Sequence, residues 1–160
     1  MKINHPTKGR IDYEPFEFQK ELIDAILEGK NVIVKSARQM GTSTTMFYCI
    51  RELCLKNPSY KALLVTSSGY GRDRFNRFPD NDGIKRRSKY KIEFDNGSEI
   101  RFLPGSSITD EVLDEYEVFI DNCEFVTPRL ISNLQQCFSE NKFKPRFYSF
   151  TGNNEFEKEG

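Results

Sequence analysis

Apolar residues along this chain occur either at helical spacing or in short continuous runs, and these two patterns predict helices and strands in alternation. Residues 16–28, 42–56 and 128–139 carry apolar side chains three and four positions apart, the spacing that gathers them on one face of a helix. Between these segments, and after the last of them, lie short apolar runs that are too brief for such helices and are typical of buried strands. We expect these strands at 31–35, 62–66, 118–120 and 147–150.

A different strand pattern surrounds the dipeptide Asn96-Gly97. Residues 90–95 and 98–103 alternate between apolar and polar side chains on either side of it, and this combination predicts a β-hairpin. Residues 69–88 are rich in Gly and Arg, and we expect irregular structure there. Strands that alternate with helices indicate an α/β fold, in which a mostly parallel sheet carries helices on both faces, with the hairpin added.

Polar segments follow three of the predicted strands. Ser36 to Thr44 follow the first strand, Asp121 and Asn122 follow the third, and Thr151 to Asn153 follow the fourth. The carboxyl ends of parallel strands meet at one edge of a sheet, which is where α/β proteins bind their ligands. The sequence therefore predicts a binding site at this edge, although any parallel sheet has polar loops there.

The segment 31–44 has the layout of a phosphate-binding loop. The apolar run 32–34 is followed by a loop, by Gly41, and by hydroxyl residues that begin the next helix. In such loops backbone N–H groups and a helix N-terminus cradle phosphates. The usual Walker A pattern, G-x-x-x-x-G-K-[ST], places a lysine directly after the second glycine. Thr42 occupies that position here, and Ser36 replaces the first glycine.

Five segments of the chain together carry a family resemblance. They are a deviant phosphate loop at 36–45, an adenine-recognition motif at 16–19, a hairpin with an Asp-Asn-Gly turn at 90–102, an acidic strand end at 117–125 and a coupling motif at 150–153. In this order they resemble the ATPase core of the large terminase subunit of tailed bacteriophages, a DNA-packaging motor. The resemblance spans almost the whole chain. It implies a three-layer P-loop NTPase fold of the additional-strand type.

The resemblance also implies a role for individual residues. ATP would be bound by Gln19, Ser36, Arg38, Gln39, Gly41, Thr42, Ser43 and Thr44. Magnesium would be held by Ser43 and Asp121, the γ-phosphate would be contacted by Arg38, the water-activating position would be Asn122, and the coupling motif would be Thr151, Gly152 and Asn153. Plainer interpretations are a helix-start serine, a solvent-facing strand-end carboxylate, a surface arginine and a polar helix residue, for Ser43, Asp121, Arg38 and Gln19 respectively.

Two departures from the family pattern argue against efficient catalysis. Thr42 replaces the lysine that bridges the β- and γ-phosphates, and a threonine supplies neither its charge nor its reach. Asn122 replaces the carboxylate that activates water, and an amide does not accept a proton at neutral pH. Lys35 and Glu124 are nearby substitutes for these two groups. We therefore expect weak binding of ATP and Mg²⁺, and weak or lost hydrolysis.

Three functions remain open at this point. The first is a degenerate ATPase domain related to viral DNA packaging, a pseudo-ATPase. The second is a non-enzymatic module that regulates an active terminase or a portal-like packaging protein. The third is a live ATPase that uses substitute residues. Within its 160 residues the chain has no counterpart of the family's nuclease domain, so DNA cleavage by that route is not expected.

Charge is segregated along the chain although the formal net charge is zero. Residues 71–91 hold eight Lys or Arg residues, and residues 110–124 hold seven Asp or Glu residues with no Lys or Arg. A basic segment with interleaved aromatic residues is a candidate double-stranded DNA contact, formed here by Arg72, Arg74, Arg77, Lys85, Arg86 and Arg87. The alternatives are a solvated loop paired with the acidic segment, or head-to-tail contact in a homo-oligomer.

The length and the cysteine content of the chain indicate the number of domains and the role of the cysteines. A chain of 160 residues predicts one domain, 1–160, with a single core. The four cysteines form no C-x-x-C pair, so we interpret them as reduced core thiols rather than metal ligands. No apolar run approaches 18 residues and no signal peptide is evident, so we expect no membrane association and a cytoplasmic location, in the host cell if the protein is viral.

Overall fold

A computed structural model describes residues 2–5, 9–12, 14–36, 42–65, 83–88, 90–103, 114–121, 128–139, 145–152 and 155–159. The helices in these ranges are α1 (Glu17–Leu27), α2 (Thr42–Lys56) and α3 (Pro128–Ser139). The strands are β1 (Lys2–His5), β2 (Gly9–Asp12), β3 (Asn31–Ser36), β4 (Lys61–Val65), β5 (Ile84–Arg87), β6 (Lys91–Phe94), β7 (Glu99–Leu103), β8 (Glu117–Ile120), β9 (Phe147–Thr151) and β10 (Glu155–Glu159). None of the helices in these ranges is long and apolar enough to cross a membrane.

The sheet that organises the domain has eight strands in the order β10-β3-β9-β8-β4-β7-β6-β5. Its five central strands, from β3 to β7 in that order, pair in parallel. Antiparallel pairs attach β10 at one edge and β6 and β5 at the other. β1 and β2 form a separate antiparallel hairpin. The predicted α/β fold with a mostly parallel sheet is confirmed.

The connections between the parallel strands run in opposite directions across the sheet. From β3 the chain passes through α2 to β4, which lies three positions away in the strand order. From β8 it passes through α3 back to β9, one position towards β3. Because parallel crossovers are right-handed in almost all proteins, opposite directions put α2 and α3 on opposite faces of the sheet. β9 thereby lies between β3 and β8.

The core fills both faces of the central strands. On one face the apolar side chains of the strands and of α1 and α2 form one buried cluster, which includes Val34, Leu64, Phe119, Met46 and Leu22. On the other face the alternate strand residues are also buried, among them Leu63, Val65, Val118 and Ile120. Strands covered on both faces read as continuous apolar runs, which explains why their sequence lacks alternation.

Two of the four cysteines lie in this core. Cys49 and Cys54 are buried free thiols on α2. Burial raises the pKa of Cys54 to about 12 and raises the pKa of Cys49 further above its ordinary value. A thiol at such a pKa is protonated at neutral pH and unreactive. The interpretation of these two residues as core thiols is confirmed, while Cys123 and Cys137 lie where no side chain is described.

The predicted elements agree closely with the structure, with three exceptions. The helices expected at 16–28, 42–56 and 128–139 and the hairpin around Asn96-Gly97 are confirmed. The expectation of irregular structure at 69–88 is wrong at its end, where Ile84–Arg87 forms β5, and residues 69–82 lie outside the described ranges. β10 and the β1–β2 hairpin were not predicted. β5 and β10 are charged edge strands whose pairing, rather than an apolar pattern, defines them.

Candidate functional site at the carboxyl edge of the sheet

A hydrogen bond joins the start of α2 to the end of β8. Ser43 is the second residue of α2, and its Oγ donates to Oδ2 of Asp121 over 2.7 Å, across 78 residues of sequence. Asp121 follows β8 directly and is 1% exposed. The interpretation of Asp121 as a solvent-facing carboxylate is therefore wrong. The two residues expected to hold magnesium lie in contact, as the convergence of strand ends predicted.

A second hydroxyl contacts the same carboxylate. Ser149, in the middle of β9, donates through its Oγ to Oδ1 of Asp121 over 3.0 Å and is itself 1% exposed. The Asp121 N–H donates to the Val65 carbonyl at the end of β4, over 3.0 Å. Asp121 is thus tied to two neighbouring strands and to a helix. Hydrogen bonds to an ionised carboxylate are stronger than neutral ones, and they offset the cost of burying it.

Sequence reasoning missed Ser149, although a signal for it exists. The prediction stopped at Thr151, Gly152 and Asn153, at the end of the same strand. Ser149 is a small polar residue at an inward position of β9, between the aromatic residues Tyr148 and Phe150. Buried polar groups almost always have a hydrogen-bond partner. An inward serine in a core strand therefore indicates that a polar partner lies opposite.

The donor atoms of this site fit a magnesium ion. Ser43 offers a hydroxyl oxygen and Asp121 a carboxylate, and Mg²⁺ prefers such hard oxygen ligands. The described part of the chain contains no group of three or more His, Cys, Asp or Glu residues that could hold a metal ion. Mg²⁺ commonly binds proteins through one or two side chains and completes its shell with water and substrate phosphates. The residues present therefore fit a magnesium–phosphate complex better than a bare metal.

Thr42, which stands at the position of the missing lysine, is enclosed. It begins α2 and is 6% exposed, and its Oγ1 has no hydrogen-bond partner among the described residues. Its burial is shared by Thr45, Met46 and Cys49, which continue the inward face of the helix. A buried hydroxyl without a partner costs stability. The position thus holds a short, uncharged side chain with an unsatisfied donor.

Replacing Thr42 with valine should raise the stability of the ligand-free protein. The Thr42→Val substitution keeps the shape of the side chain and removes the unsatisfied hydroxyl, so the free energy of unfolding should increase by about 1 kcal/mol. Urea unfolding measures this. Ser98→Ala is the control, because the buried Ser98 hydroxyl donates to the Asn57 carbonyl and accepts from the Tyr60 N–H, and its loss should destabilise. Destabilisation by Thr42→Val would contradict an unsatisfied hydroxyl.

Gln19 has a structural task in addition to the one that the resemblance implies. It is the third residue of α1 and is 1% exposed. Its Oε1 accepts a hydrogen bond from the Phe16 N–H over 2.9 Å. This is the return half of a capping box, which satisfies a backbone donor at the start of a helix. The amide oxygen of Gln19 is therefore engaged within its own helix start.

The remaining site residues divide into those that meet at this edge and those outside the described ranges. Ser36 and Thr151 are register partners at the carboxyl ends of β3 and β9, so the start of the expected phosphate loop lies beside the expected coupling segment. Thr44 is half-buried on α2, and Gly152 follows β9. The expected roles of Arg38, Gln39, Gly41, Asn122 and Asn153 concern residues outside the described ranges, as do those of Arg72, Arg74 and Arg77.

Lys35, the substitute for the missing lysine, lies on the other face of the sheet. Strand alternation puts Val34 and Ser149 on the face of α2, and puts Lys35 and its register partner Phe150 on the opposite face. The Lys35 Nζ lies 5.9 Å from the centre of the Phe150 ring, within the range of a cation–π contact. The hypothesis that Lys35 replaces the loop lysine therefore finds no support in this geometry.

The basic residues that the structure describes are partly neutralised within their own hairpin. Arg86 donates to Oε2 of Glu93 through both Nε and Nη2, each over 2.8 Å, and Lys91 contacts the same carboxylate. Lys85 is exposed on the edge strand β5. Glu115, from the acidic segment, pairs with Lys61 over 3.4 Å. Among the described residues, Arg86 is therefore paired with Glu93 on the neighbouring strand β6.

In comparisons with known proteins, the chain matches no protein-family model and no curated protein.

Proposed function

We propose that this chain is a terminase-like P-loop domain related to viral DNA packaging, whose ATP hydrolysis is weak or lost. The Ser43–Asp121 hydrogen bond carries the proposal. In P-loop NTPases the loop Ser or Thr and an Asp at a strand end are the two protein groups that hold Mg²⁺. Ser43 follows the first parallel strand and Asp121 ends another, so the positions correspond as well as the residue types.

The strand order gives independent support. If the chain has the additional-strand fold that the resemblance implies, one strand should lie between the phosphate-loop strand and the strand followed by the magnesium aspartate. β9 lies between β3 and β8, and the register of Ser36 with Thr151 sets the loop beside the expected coupling segment. A chance meeting of one serine with one aspartate would not require this order.

Within this proposal, Ser43 and Asp121 would hold Mg²⁺, and the backbone N–H groups at the start of α2 would face phosphate oxygens. When bound, the ion would neutralise phosphate charge. Thr42 adds no positive charge at the start of α2, so more of the compensation for phosphate charge falls on the metal ion. Nucleotide affinity should accordingly depend on the divalent cation.

Nucleotide titration tests the proposal. A fluorescent ATP analogue should bind wild-type protein more tightly with Mg²⁺ than with EDTA, and Asp121→Asn should weaken binding in Mg²⁺ at least about tenfold, as expected when a metal ligand is lost. Asp95→Asn is a matched control, because Asp95 is an exposed aspartate at the hairpin turn. Its affinity should equal that of wild type.

Absence of nucleotide binding would contradict the proposal. If wild-type protein binds no nucleotide in either buffer at millimolar concentration, the P-loop proposal is wrong. The chain would then be assigned instead to the second function left open by its sequence, a non-enzymatic module acting on an active terminase or a portal-like packaging protein. Equal affinities of Asp121→Asn and wild type in Mg²⁺ would remove Asp121 from the site while leaving nucleotide binding in place.

A further inference from the structure

The carboxylate of Asp121 is held by two hydroxyls in different surroundings. Ser43 contacts Oδ2 from the start of α2 and is half-buried, so solute can approach this side. Ser149 contacts Oδ1 from inside the sheet and is 1% exposed, opposite Val34 in the strand register. One oxygen of the carboxylate therefore faces the helix start, and the other is anchored in the core.

These two hydrogen bonds differ in what happens when a cation arrives. A cation bound by Ser43 and Asp121 needs a lone pair from each, so the Ser43 proton must turn away from Oδ2. The Ser149 bond uses Oδ1 and need not break. The terminal torsion of an aspartate is broad and roughly two-fold, so a carboxylate without an anchor turns readily. An anchored carboxylate keeps Oδ2 directed at the helix start.

We propose that Ser149 is a positioning residue for the cation site. It holds Oδ1 of Asp121 against β9, so that Oδ2 is already oriented when Mg²⁺ arrives with a nucleotide. This inference rests on the proposed function, because it concerns the same site. Partners that orient a metal ligand from behind commonly contribute a factor of about 10–100 to metal affinity. Ser149 acts through Asp121 and touches neither the metal nor the phosphates.

The position of β9 in the sheet explains why a serine can do this. β9 lies next to β8 in the parallel sheet, with Phe119 opposite Phe147 and Ile120 opposite Tyr148. Asp121 directly follows Ile120 at the end of β8, and Ser149 directly follows Tyr148 in β9, so the two continue the same register. A short hydroxyl side chain suffices at this spacing, and a buried alanine there would leave Oδ1 without this donor.

The experiment measures the affinity of the fluorescent ATP analogue for wild-type protein, Ser149→Ala and Ser149→Thr, each in Mg²⁺ and in EDTA. Ser149→Ala should lose about 10–100-fold in affinity in Mg²⁺ and stay within about twofold of wild type in EDTA. Ser149→Thr keeps the hydroxyl on a residue that strands accommodate and should recover most of the loss. Ser98→Ala is the matched control, because Ser98 is also 1% exposed but lies at the hairpin turn before β7, away from Asp121. This substitution should change the affinity in neither buffer.

Each other outcome overturns the inference in an identifiable way. An unchanged affinity of Ser149→Ala in Mg²⁺ would mean that the carboxylate needs no anchor, with the proposed function intact. Equal losses in Mg²⁺ and in EDTA would mean that Ser149 supports the phosphate loop rather than the cation. Absence of nucleotide binding by wild-type protein in both buffers would overturn the proposed function and this inference together. Circular dichroism of every variant establishes that the compared proteins are folded.

Discussion

Purified protein supplied with ATP and Mg²⁺ is expected to release phosphate at a rate near background, well below the roughly 1 s⁻¹ at the low end of ordinary enzyme turnover. Under the proposed function, Asn122 would occupy the position of the carboxylate that activates water, and loss of a general base typically costs about 10²–10⁴-fold. Thr42 would likewise occupy the position of the lysine that stabilises the transferred phosphoryl group, and removing preorganised charge has a comparable cost. Together these losses predict a protein that binds nucleotide without turning it over.

The surroundings of Thr42 strengthen this expectation. Its side chain is 6% exposed and uncharged, so nothing at this position extends towards a phosphate. Lys35, the nearest sequence substitute, lies on the opposite face of the sheet beside Phe150. A continuous phosphate-release assay decides the matter, with Asp121→Asn as the measure of background. Wild-type turnover near 1 s⁻¹ that disappears in Asp121→Asn would establish a live ATPase with substitute residues.

A complementary experiment restores the lysine at position 42 and the carboxylate at position 122. Thr42→Lys should raise nucleotide affinity, and the combination of Thr42→Lys with Asn122→Glu should raise turnover above that of wild type. Thr42 is enclosed, so the lysine must extend its charged end out of the protein, and we expect some loss of stability alongside the gain. No gain in affinity, measured by calorimetry on folded protein, would mean that the loop is no longer shaped for phosphate.

The sequence predicted the candidate site because parallel sheets gather strand ends at one edge. The helix at 42–56 and the strand at 118–120 were evident from apolar spacing alone. Once both exist in an α/β sheet, the first residues of the helix and the residue after the strand must approach the same edge. The contact of Ser43 with Asp121 therefore followed from local patterns together with one rule of topology.

Other features depended on which strands become neighbours, and local patterns carry little of that information. Ser149 meets Asp121 only because β9 lies beside β8, and β8 and β9 are separated along the chain by α3. Charged strands such as β10 become strands through pairing at an edge and show no apolar alternation that would identify them. The capping role of Gln19 could have been predicted, since a glutamine three residues after the N-cap favours a hydrogen bond from the N-cap N–H to its side chain.

At the opposite edge of the sheet, replacing Arg146 should cost about 3 kcal/mol of the free energy of unfolding, the lower end of the range for breaking a buried ion pair. Arg146 is 9% exposed. Its Nη1 donates to Oε2 of Glu117 and its Nη2 to the Ile26 carbonyl, each over 2.6 Å. It thereby ties the start of β9 to the start of β8 and to the last turn of α1. We choose the lower end because the Glu117 side chain is 44% exposed, and water can solvate part of its charge.

Removal of Arg146 leaves two groups poorly satisfied. The Ile26 carbonyl, in the last turn of α1, would keep only the Gly29 N–H as a donor, over 3.1 Å. Glu117 would retain the Tyr60 hydroxyl as a donor. Burial raises the pKa of Tyr60, and its hydrogen bond to Glu117 raises that pKa further, so the phenol stays protonated and continues to donate. One hydroxyl does not replace a guanidinium that bridges a carboxylate and a backbone carbonyl.

Arg146→Met keeps the length of the side chain and removes its charge and donors, so urea unfolding of this variant measures the loss. Arg129→Met is the matched control, because Arg129 is exposed on α3 and its replacement should change the free energy of unfolding by less than about 0.5 kcal/mol. Glu117→Gln in the Arg146→Met background should add little, since the partner is already gone. If Arg146→Met proves as harmless as Arg129→Met, the bridge between β8, β9 and α1 contributes no stability, and the amino edge of the sheet is held by its apolar core alone.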